Sequence, residues 1–200
     1  MKITKELYKY ISQEIINGNH FNTSRNLGKL SELITLCNPK SKEEWEKYYF
    51  DYIKETGLIK TINKNLNYIQ NTYPQIKIED VKYVLRRRVI EDMWNGWERE
   101  LSFEKYFNNI SNKKIEHSTY KMDSEFGVDY LIYNNNEIVG AIQVKPISYI
   151  LNNNQYIQKD KIRNKMKYNN FYNQYGIEVL EVAMENNEVV YNLEKLKELV

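Results

Sequence analysis

The sequence predicts an α/β fold, a mixed central β-sheet flanked by helices with a helical region before it. Three observations predict this. Helix-spaced apolar residues bounded by capping signals occupy most of residues 1 to 110. Near residue 116 the pattern changes to short runs of β-branched and aromatic residues. The resulting order is three strands, a helix and a further strand after an all-helical stretch, which is that of a mixed sheet covered by helices. Residues 1–90 are expected to form a helical region for recognition and dimerisation, and residues 91–200 the core. No Pro- or Gly-rich linker separates them, so the two should make one compact domain.

Each element has its own signal. "TKELYKYISQEIIN" sets Leu7, Tyr10, Ile11 and Ile15 near helical spacing, and Gly18 supplies a stop. "TSRNLGKLSELITLC" begins on Thr and Ser, good N-cap residues, and ends before "NP". In "SKEEWEKYYFDYIKET", Ser41 and Glu44 have the spacing of a capping box, and Gly57 closes the helix. "TINKNLNYIQNTYP" is a weaker helix ended by Pro74. "IEDVKYVLRRRVIEDMWNGWERELSFEKYFNN" is the longest, and Gly96 is expected to kink it or end its first half. Beyond it "HSTYKMD" and "FGVDYLIYN" read as strands, and "EIVGAIQVK" follows an Asn-rich turn. "NNQYIQKDKIRNKMKYNNFYNQYG" returns to helix, ending on Gly176. "IEVLEVAMEN" is a short apolar strand, followed by a brief "EVVYN" and a terminal helix "LEKLKELV".

Composition excludes several classes. Two hundred residues can bury a substantial core, and 42% hydrophobic with 28% charged residues is an ordered globular balance. A net charge of +2 is too small to argue by itself for nucleic acid or membrane. The single cysteine, Cys37, excludes an internal disulfide and a Cys-rich zinc site, and its surroundings suggest a small buried apolar residue. No run approaches transmembrane length and no signal-peptide core follows the N-terminal charges, so no membrane is expected and the expected location is cytoplasmic. The Asn-rich runs "NKNLNYIQN" and "YNNN", with 18 Tyr, fit the coding bias of an A+T-rich genome.

The chemistry lies in the two strands around that Asn-rich turn. Residues 127–133 and 137–145 should pair as an antiparallel hairpin, with side chains alternating between faces, so that Gln143 and Lys145 point the same way. A three-residue loop, Asn134 to Asn136, would set Asp129 opposite Ala141 and diagonal to Gln143; a five-residue loop would set it opposite Gln143. A two-residue loop would change the parity and break the arrangement. Val128, Tyr130, Ile132, Ile138, Ile142 and Val144 are expected on the other, apolar face. One reading of Asp129 and Lys145 is a solvated cross-strand salt bridge, which contributes little. The other is metal-assisted phosphodiester hydrolysis. Mg²⁺, for which Mn²⁺ can substitute, takes oxygen ligands, and Asp129 would anchor it. The Gln143 amide oxygen and the Val144 backbone carbonyl would be weaker ligands. Lys145 would orient the attacking water, lower its pKa or stabilise the phosphorane charge.

"GVDY", followed after thirteen intervening residues by "QVK", resembles the PD-(D/E)xK nuclease superfamily, in which a hairpin carries an Asp and then acid-x-Lys. Gln143 stands where that family usually has Asp or Glu, which removes one negative charge, although Mrr-like nucleases and some restriction enzymes have Gln there. The resemblance implies a further carboxylate from an earlier helix. "WNGWERELSF" offers Glu98 and Glu100, Glu91 lies two turns earlier, and Glu98 is the one expected at the metal. "GAIQVKPISY" is similar to a narrower group, the MjaI-type type II restriction endonucleases that target CTAG, over about residues 90 to 150. It implies a Mg²⁺-dependent endonuclease that cuts double-stranded DNA at a short palindrome as a homodimer. A cognate methyltransferase would protect host DNA without contacting the enzyme. The alternatives are a Mrr-like or Holliday-junction nuclease, which would cut by shape, and a catalytically inactive DNA-binding protein of the same fold.

DNA contacts have fewer signals. In "KDKIRNKMK", Lys159, Arg163 and Lys167 would share a helix face opposite Ile162 and Met166, within reach of phosphates, although a solvated helix face reads equally well. Arg86, Arg87 and Arg88 cannot all serve one face, and at least one should pair with Glu91 or Asp92. Ser148 and Tyr149, just past the second strand, are candidates for phosphate or base contact. His20 and His117 have no partner at metal or triad spacing and read as surface or packing residues. Trp45, Trp94 and Trp97 read as core or dimer interface.

Overall fold

Helices make up the first half of the chain in the computed structural model, which describes residues 3–200. The chain divides into one unit ending at Asn95 and another running from Gly96 to Val200. Among the described residues no helix is long and apolar enough to cross a membrane.

In the first unit, α1 (Lys5–Tyr10) is capped by the Thr4 hydroxyl, which accepts from the Leu7 N–H, and runs into a π-helical turn, Ile11–Asn17. The stretch expected as one helix is two, α2 (Ser24–Leu27) and α3 (Leu30–Cys37). Gly28 separates them at φ 82°, and a Cβ there would stand 3.0 Å from Leu33 and 3.2 Å from Tyr52. Cys37 is half-buried rather than buried. In α4 (Lys42–Glu55) the Ser41 hydroxyl accepts from the Glu44 N–H. The Glu44 carboxylate reaches one residue further back than a standard box, to the Lys40 N–H at 2.7 Å. After α5 (Leu58–Thr72) comes α6 (Ile78–Arg86), then a π-helical segment Arg87–Asp92, then α7 (Met93–Ile110). Gly96 therefore does not end the run, and the irregularity in its helical pattern comes nine residues earlier, at Arg87. Inside that wider turn the Val89 carbonyl accepts the indole N–H of the fully buried Trp45 at 2.9 Å, tying α4 to the segment.

The second unit is a five-stranded sheet in the order β1-β2-β3-β4-β5. The strands are β1 (Lys114–His117), β2 (Tyr130–Asn134), β3 (Glu137–Pro146), β4 (Val179–Glu185) and β5 (Glu188–Tyr191). Only β3 and β4 pair in parallel. That pair needs a long crossover, supplied by α9 (Ile147–Leu151) and α10 (Gln155–Tyr175). "HSTYKMD" is not a strand beyond His117: Thr119 caps a short helix, α8 (Tyr120–Phe126), by accepting from the Met122 N–H. Thr and Ser offer an N-cap as readily as a strand, and the cap wins here. The chain ends in α11 (Leu193–Leu199).

The hairpin β2–β3 turns in two residues, Asn135 and Asn136, both at positive φ (50° and 69°). Asn tolerates the left-handed region that such a turn needs. A two-residue turn alone would put Asp129 opposite Ile142. Between the pairs Ile132↔Gly140 and Tyr133↔Ile138 sits one extra residue, Val139, a bulge that shifts the register by one. One step beyond Tyr130↔Ile142, Asp129 is therefore level with Gln143. The arrangement survives the short turn because of the bulge. β4 and β5 repeat the device with Asn186 and Asn187, at φ 50° and 65°, and a shift beyond Met184.

Both faces of the sheet are covered. Tyr130, Ile132, Ile142, Val144, Val182 and Met184 pack against Phe103 and Phe107 of α7 and Leu196 of α11. Leu131 and Ala141 pack on the other side with Phe126 of α8 and Phe171 of α10. Val128 and Ile138 belong to this second cluster, not to the first as expected. The bulge reverses Ile138 relative to Ile142, and Val128 leaves the left-handed Gly127 before regular pairing begins.

Candidate active site

The polar side chains of the hairpin are not on a solvated face. Asp129 is 7% exposed and Gln143 5%, beneath α8 and α10. No ion pair between Asp129 and Lys145 is formed among the described residues, so the cross-strand salt bridge is absent. Asp129 is held instead by donors on one oxygen. Its Oδ2 accepts from the Val144 N–H at 2.7 Å and from the Gln143 amide Nε2 at 2.5 Å. The Asp129 N–H in turn donates to the Ile142 carbonyl at 2.8 Å. Ile142 and Val144 present the same edge of β3, so the Val144 carbonyl faces the side from which its N–H reaches Asp129. Gln143 thus donates to Asp129 through its Nε2, and its Oε1 stands 3.1 Å from where a Cβ on Gly127 would lie.

The α7 carboxylate within electrostatic reach of Asp129 is Glu100. Glu98 is exposed on α7. Glu91 is committed in the first unit to Lys42 at 3.2 Å and Arg86 at 3.4 Å. The Glu100 carboxyl is pushed well above the usual carboxylate range, first by burial and then by repulsion from Asp129 and Asp123, with Lys145 and Arg99 opposing. Asp129 behaves alike. Burial is the main cause that raises it to about 6, Asp123 adds to this, and Lys145 and the bonds from Val144 and Gln143 pull the other way. The sequence did carry a signal for Glu100. Trp97, Glu100, Phe103 and Phe107 fall on one helical stripe, and Trp97, Phe103 and Phe107 are all buried, so Glu100 is the acid on the inward face.

A polar shell holds Glu100 from behind. The Tyr130 hydroxyl donates to the Glu100 backbone carbonyl at 2.8 Å and lies 2.6 Å from His117 Nε2. His117 stacks on Trp97 at 4.6 Å, and its Nδ1 is 3.9 Å from Glu100. It is thus a packing residue, as expected, but one packed against the candidate site.

Two lysines approach from the other side. Lys145 lies within electrostatic reach of Asp129, Asp123 and Glu100, and its ammonium stands 5.4 Å from the centre of the Tyr149 ring. Lys167 turns inward to the Asp123 carbonyl at 3.3 Å, and burial lowers its pKa. It parts company with Lys159 and Arg163, which are exposed, Arg163 being paired with Asp160 at 2.9 Å. The apolar stripe expected on α10 is reversed: Ile162 and Met166 are each 64% exposed. The inward side instead carries Asn164 and Phe171, both buried, and Tyr168, whose hydroxyl donates to Glu181 at 3.0 Å.

Of the other expected contacts, Ser148 is exposed, but Tyr149 is 8% exposed with its hydroxyl accepting from Asn164 at 3.1 Å. The three arginines are engaged inside the first unit. Arg86 holds Glu46 with N–H groups at 2.8 and 2.9 Å, and Arg88 donates to Asn17 and Ser12 at 2.8 and 2.7 Å. Arg87 lies 4.9 Å over the Tyr8 ring. His20 is exposed.

The donor set suits a hard cation. Among the described residues no three His, Cys, Asp or Glu side chains converge as a cage for a metal. Mg²⁺ does not need one, since it is held by one or two carboxylates with waters and substrate phosphate. Asp129 raises the pKa of Glu100, and burial raises both, so a divalent ion bound between them would offset the cost of ionising the two carboxyls.

The family model described as MjaI restriction endonuclease matches residues 11–185, most of the chain. No curated protein and no solved structure matches it.

Proposed function

Because the chain belongs to the MjaI restriction endonuclease family, and is thus a type II restriction endonuclease acting on double-stranded DNA, we propose that it hydrolyses the phosphodiester bond at the cluster of Asp129, Glu100 and Lys145. The observation that carries this reading is the pair of carboxylates, Asp129 buried and Glu100 half-buried, each raised in pKa, with Lys145 beside both. Asp129 Oδ1, the Glu100 carboxylate and the Val144 carbonyl would hold the ion, Mg²⁺ or Mn²⁺. When bound, it supplies Lewis acidity at the phosphate and lowers the pKa of a water. Gln143 and the Val144 N–H fix the Asp129 carboxylate by its other oxygen, so one lone-pair direction stays aimed at the ligand. Lys145 orients the attacking water and offsets the negative charge that grows on the phosphoryl oxygens. Water forms the new P–O bond, the bond to the leaving oxygen breaks, and that oxygen takes up a proton.

Lys167, Lys159, Arg163 and Ser148 are the phosphate contacts we propose, in a homodimer that cuts both strands of a short palindrome, CTAG. A cognate methyltransferase would protect the host. Digestion of a long defined duplex with Mg²⁺, against EDTA, tests the reading. Discrete fragments are expected from the wild type, and a loss of at least a hundredfold from Lys145→Ala, roughly the weight of a general catalytic group. A Lys145→Ala protein that cuts normally rules out this role. Absence of cleavage with either ion would leave a DNA-binding protein that keeps the fold.

A further inference from the structure

Resting on that reading of Lys145, we propose that Tyr149 is the positioning residue of the catalytic lysine and not a DNA contact. A lysine ammonium sits on a flexible four-carbon stem and does not aim itself. Near the end of β3 the backbone of Lys145 is paired with Ala183, but among the described residues no hydrogen bond holds its ammonium. Pro146, at φ −71°, starts α9, and the first turn of that helix folds Tyr149 back towards Lys145, four residues earlier. The ammonium then stands 5.4 Å from the ring centre, within the range where the negative face of an aromatic ring attracts a cation.

The ring itself is held firmly. It is 8% exposed, and its hydroxyl accepts from the amide of Asn164, also 8% exposed, at 3.1 Å. A second ammonium, Lys161, is 5.6 Å from the same ring centre. It is tied to the chain after α9, donating to the Ile150 and Asn152 carbonyls at 3.2 and 3.4 Å and to the Asn153 side chain at 3.4 Å. Among the described residues the ring therefore serves one ammonium hydrogen-bonded to backbone and one, Lys145, held by no hydrogen bond and drawn only by the carboxylates of the site. Lys145 is the one whose direction depends on it.

Three variants separate the possibilities. Tyr149→Phe keeps the ring and loses only the bond from Asn164; Tyr149→Leu removes the ring; Lys161→Met removes the second ammonium. Cleavage by Tyr149→Leu under single-turnover conditions should fall about tenfold, the loss of one cation–π contact. Duplex affinity, measured with EDTA present, should stay unchanged. Tyr149→Phe should restore the rate to within about threefold. The signature a purely structural role would not produce is spectroscopic. The Lys145 Cε protons, seen by ¹H–¹³C NMR, should be shifted by the ring current in the wild type and in Tyr149→Phe, and not in Tyr149→Leu. A Lys145 signal identical in wild type and Tyr149→Leu overturns the proposal, whatever cleavage does and even if the protein is less stable. A Lys161→Met protein as slow as Tyr149→Leu also overturns it, since the ring would then act through the α9 loop. An active Lys145→Ala would instead overturn the function given to Lys145, while the NMR signal would still report the contact.

Discussion

Asp129 is an acid kept where charge is costly, and the folded state consequently holds its proton more tightly than the unfolded chain does. Its pKa rises from 3.8 to about 6, mainly through burial. The stability linked to the bound proton is fully present below about pH 4 and is lost as the pH rises through about 6. Glu100 moves in the same direction. Asp129→Asn resembles the protonated form and removes this slope. In metal-free protein the stability gap between Asp129→Asn and wild type should widen in favour of Asn between pH 4 and 7, by about 3 kcal/mol for a shift of that size. Urea unfolding at both pH values would measure it, and a constant gap would remove burial as the cause. At this scale the sequence was legible where a polar residue interrupts an apolar strand, as Asp129, Gln143 and Lys145 do. It was less so where the polar residue sits in a helix whose stripe is mostly polar. Lys161 and Asn164 occupy inward positions on α10 that Ile162 and Met166 seemed better suited to fill. What decided it was Tyr149, a hydrogen-bonding partner fifteen residues away from Asn164, which no local period can reveal.

Among the elements, the strands and most helices follow from periodicity, and the turns follow from a residue type that composition disguised. In a chain rich in Asn, the pairs Asn135–Asn136 and Asn186–Asn187 look like more of the same bias, yet all four stand at positive φ in two-residue turns. Asn136→Val puts a β-branched side chain at φ 69° and should cost about 1–2 kcal/mol, while Asn136→Gly should be close to neutral. Equilibrium unfolding of the two proteins checks this, and equal stabilities would mean that the turn changes type. The bulges were not legible, because a residue that pairs with nothing leaves no mark on an alternating pattern once the count is lost. The π-helical segment was similarly silent. Three successive arginines at 86, 87 and 88 looked like a patch for phosphate, but the segment sends them to Glu46, Tyr8 and Asn17.

For the molecule as a whole, the proposed site draws on elements far apart in the chain: Glu100 from α7, Asp123 from α8, Asp129 before β2, Lys145 from β3 and Lys167 from α10. The hairpin with Asp129, Lys145 and Gln143 is complete by residue 146, but β3 is an interior strand whose parallel neighbour begins only at Val179. A chain stopped after Asn152 keeps Asp129, Gln143 and Lys145 and loses β4, α10 and the Asn164 bond to Tyr149. It should lose the part of the melt by circular dichroism that belongs to the second unit, keep that of the first, and show no cleavage; a truncated chain that cuts DNA would mean that the hairpin and α7 suffice. The parallel pairing of β3 with β4 then has a meaning for synthesis. Since β4 lies in the last quarter of the chain, the proposed site is expected to assemble only when synthesis is nearly finished, so that a prematurely terminated polypeptide would leave the DNA of the cell that made it uncut.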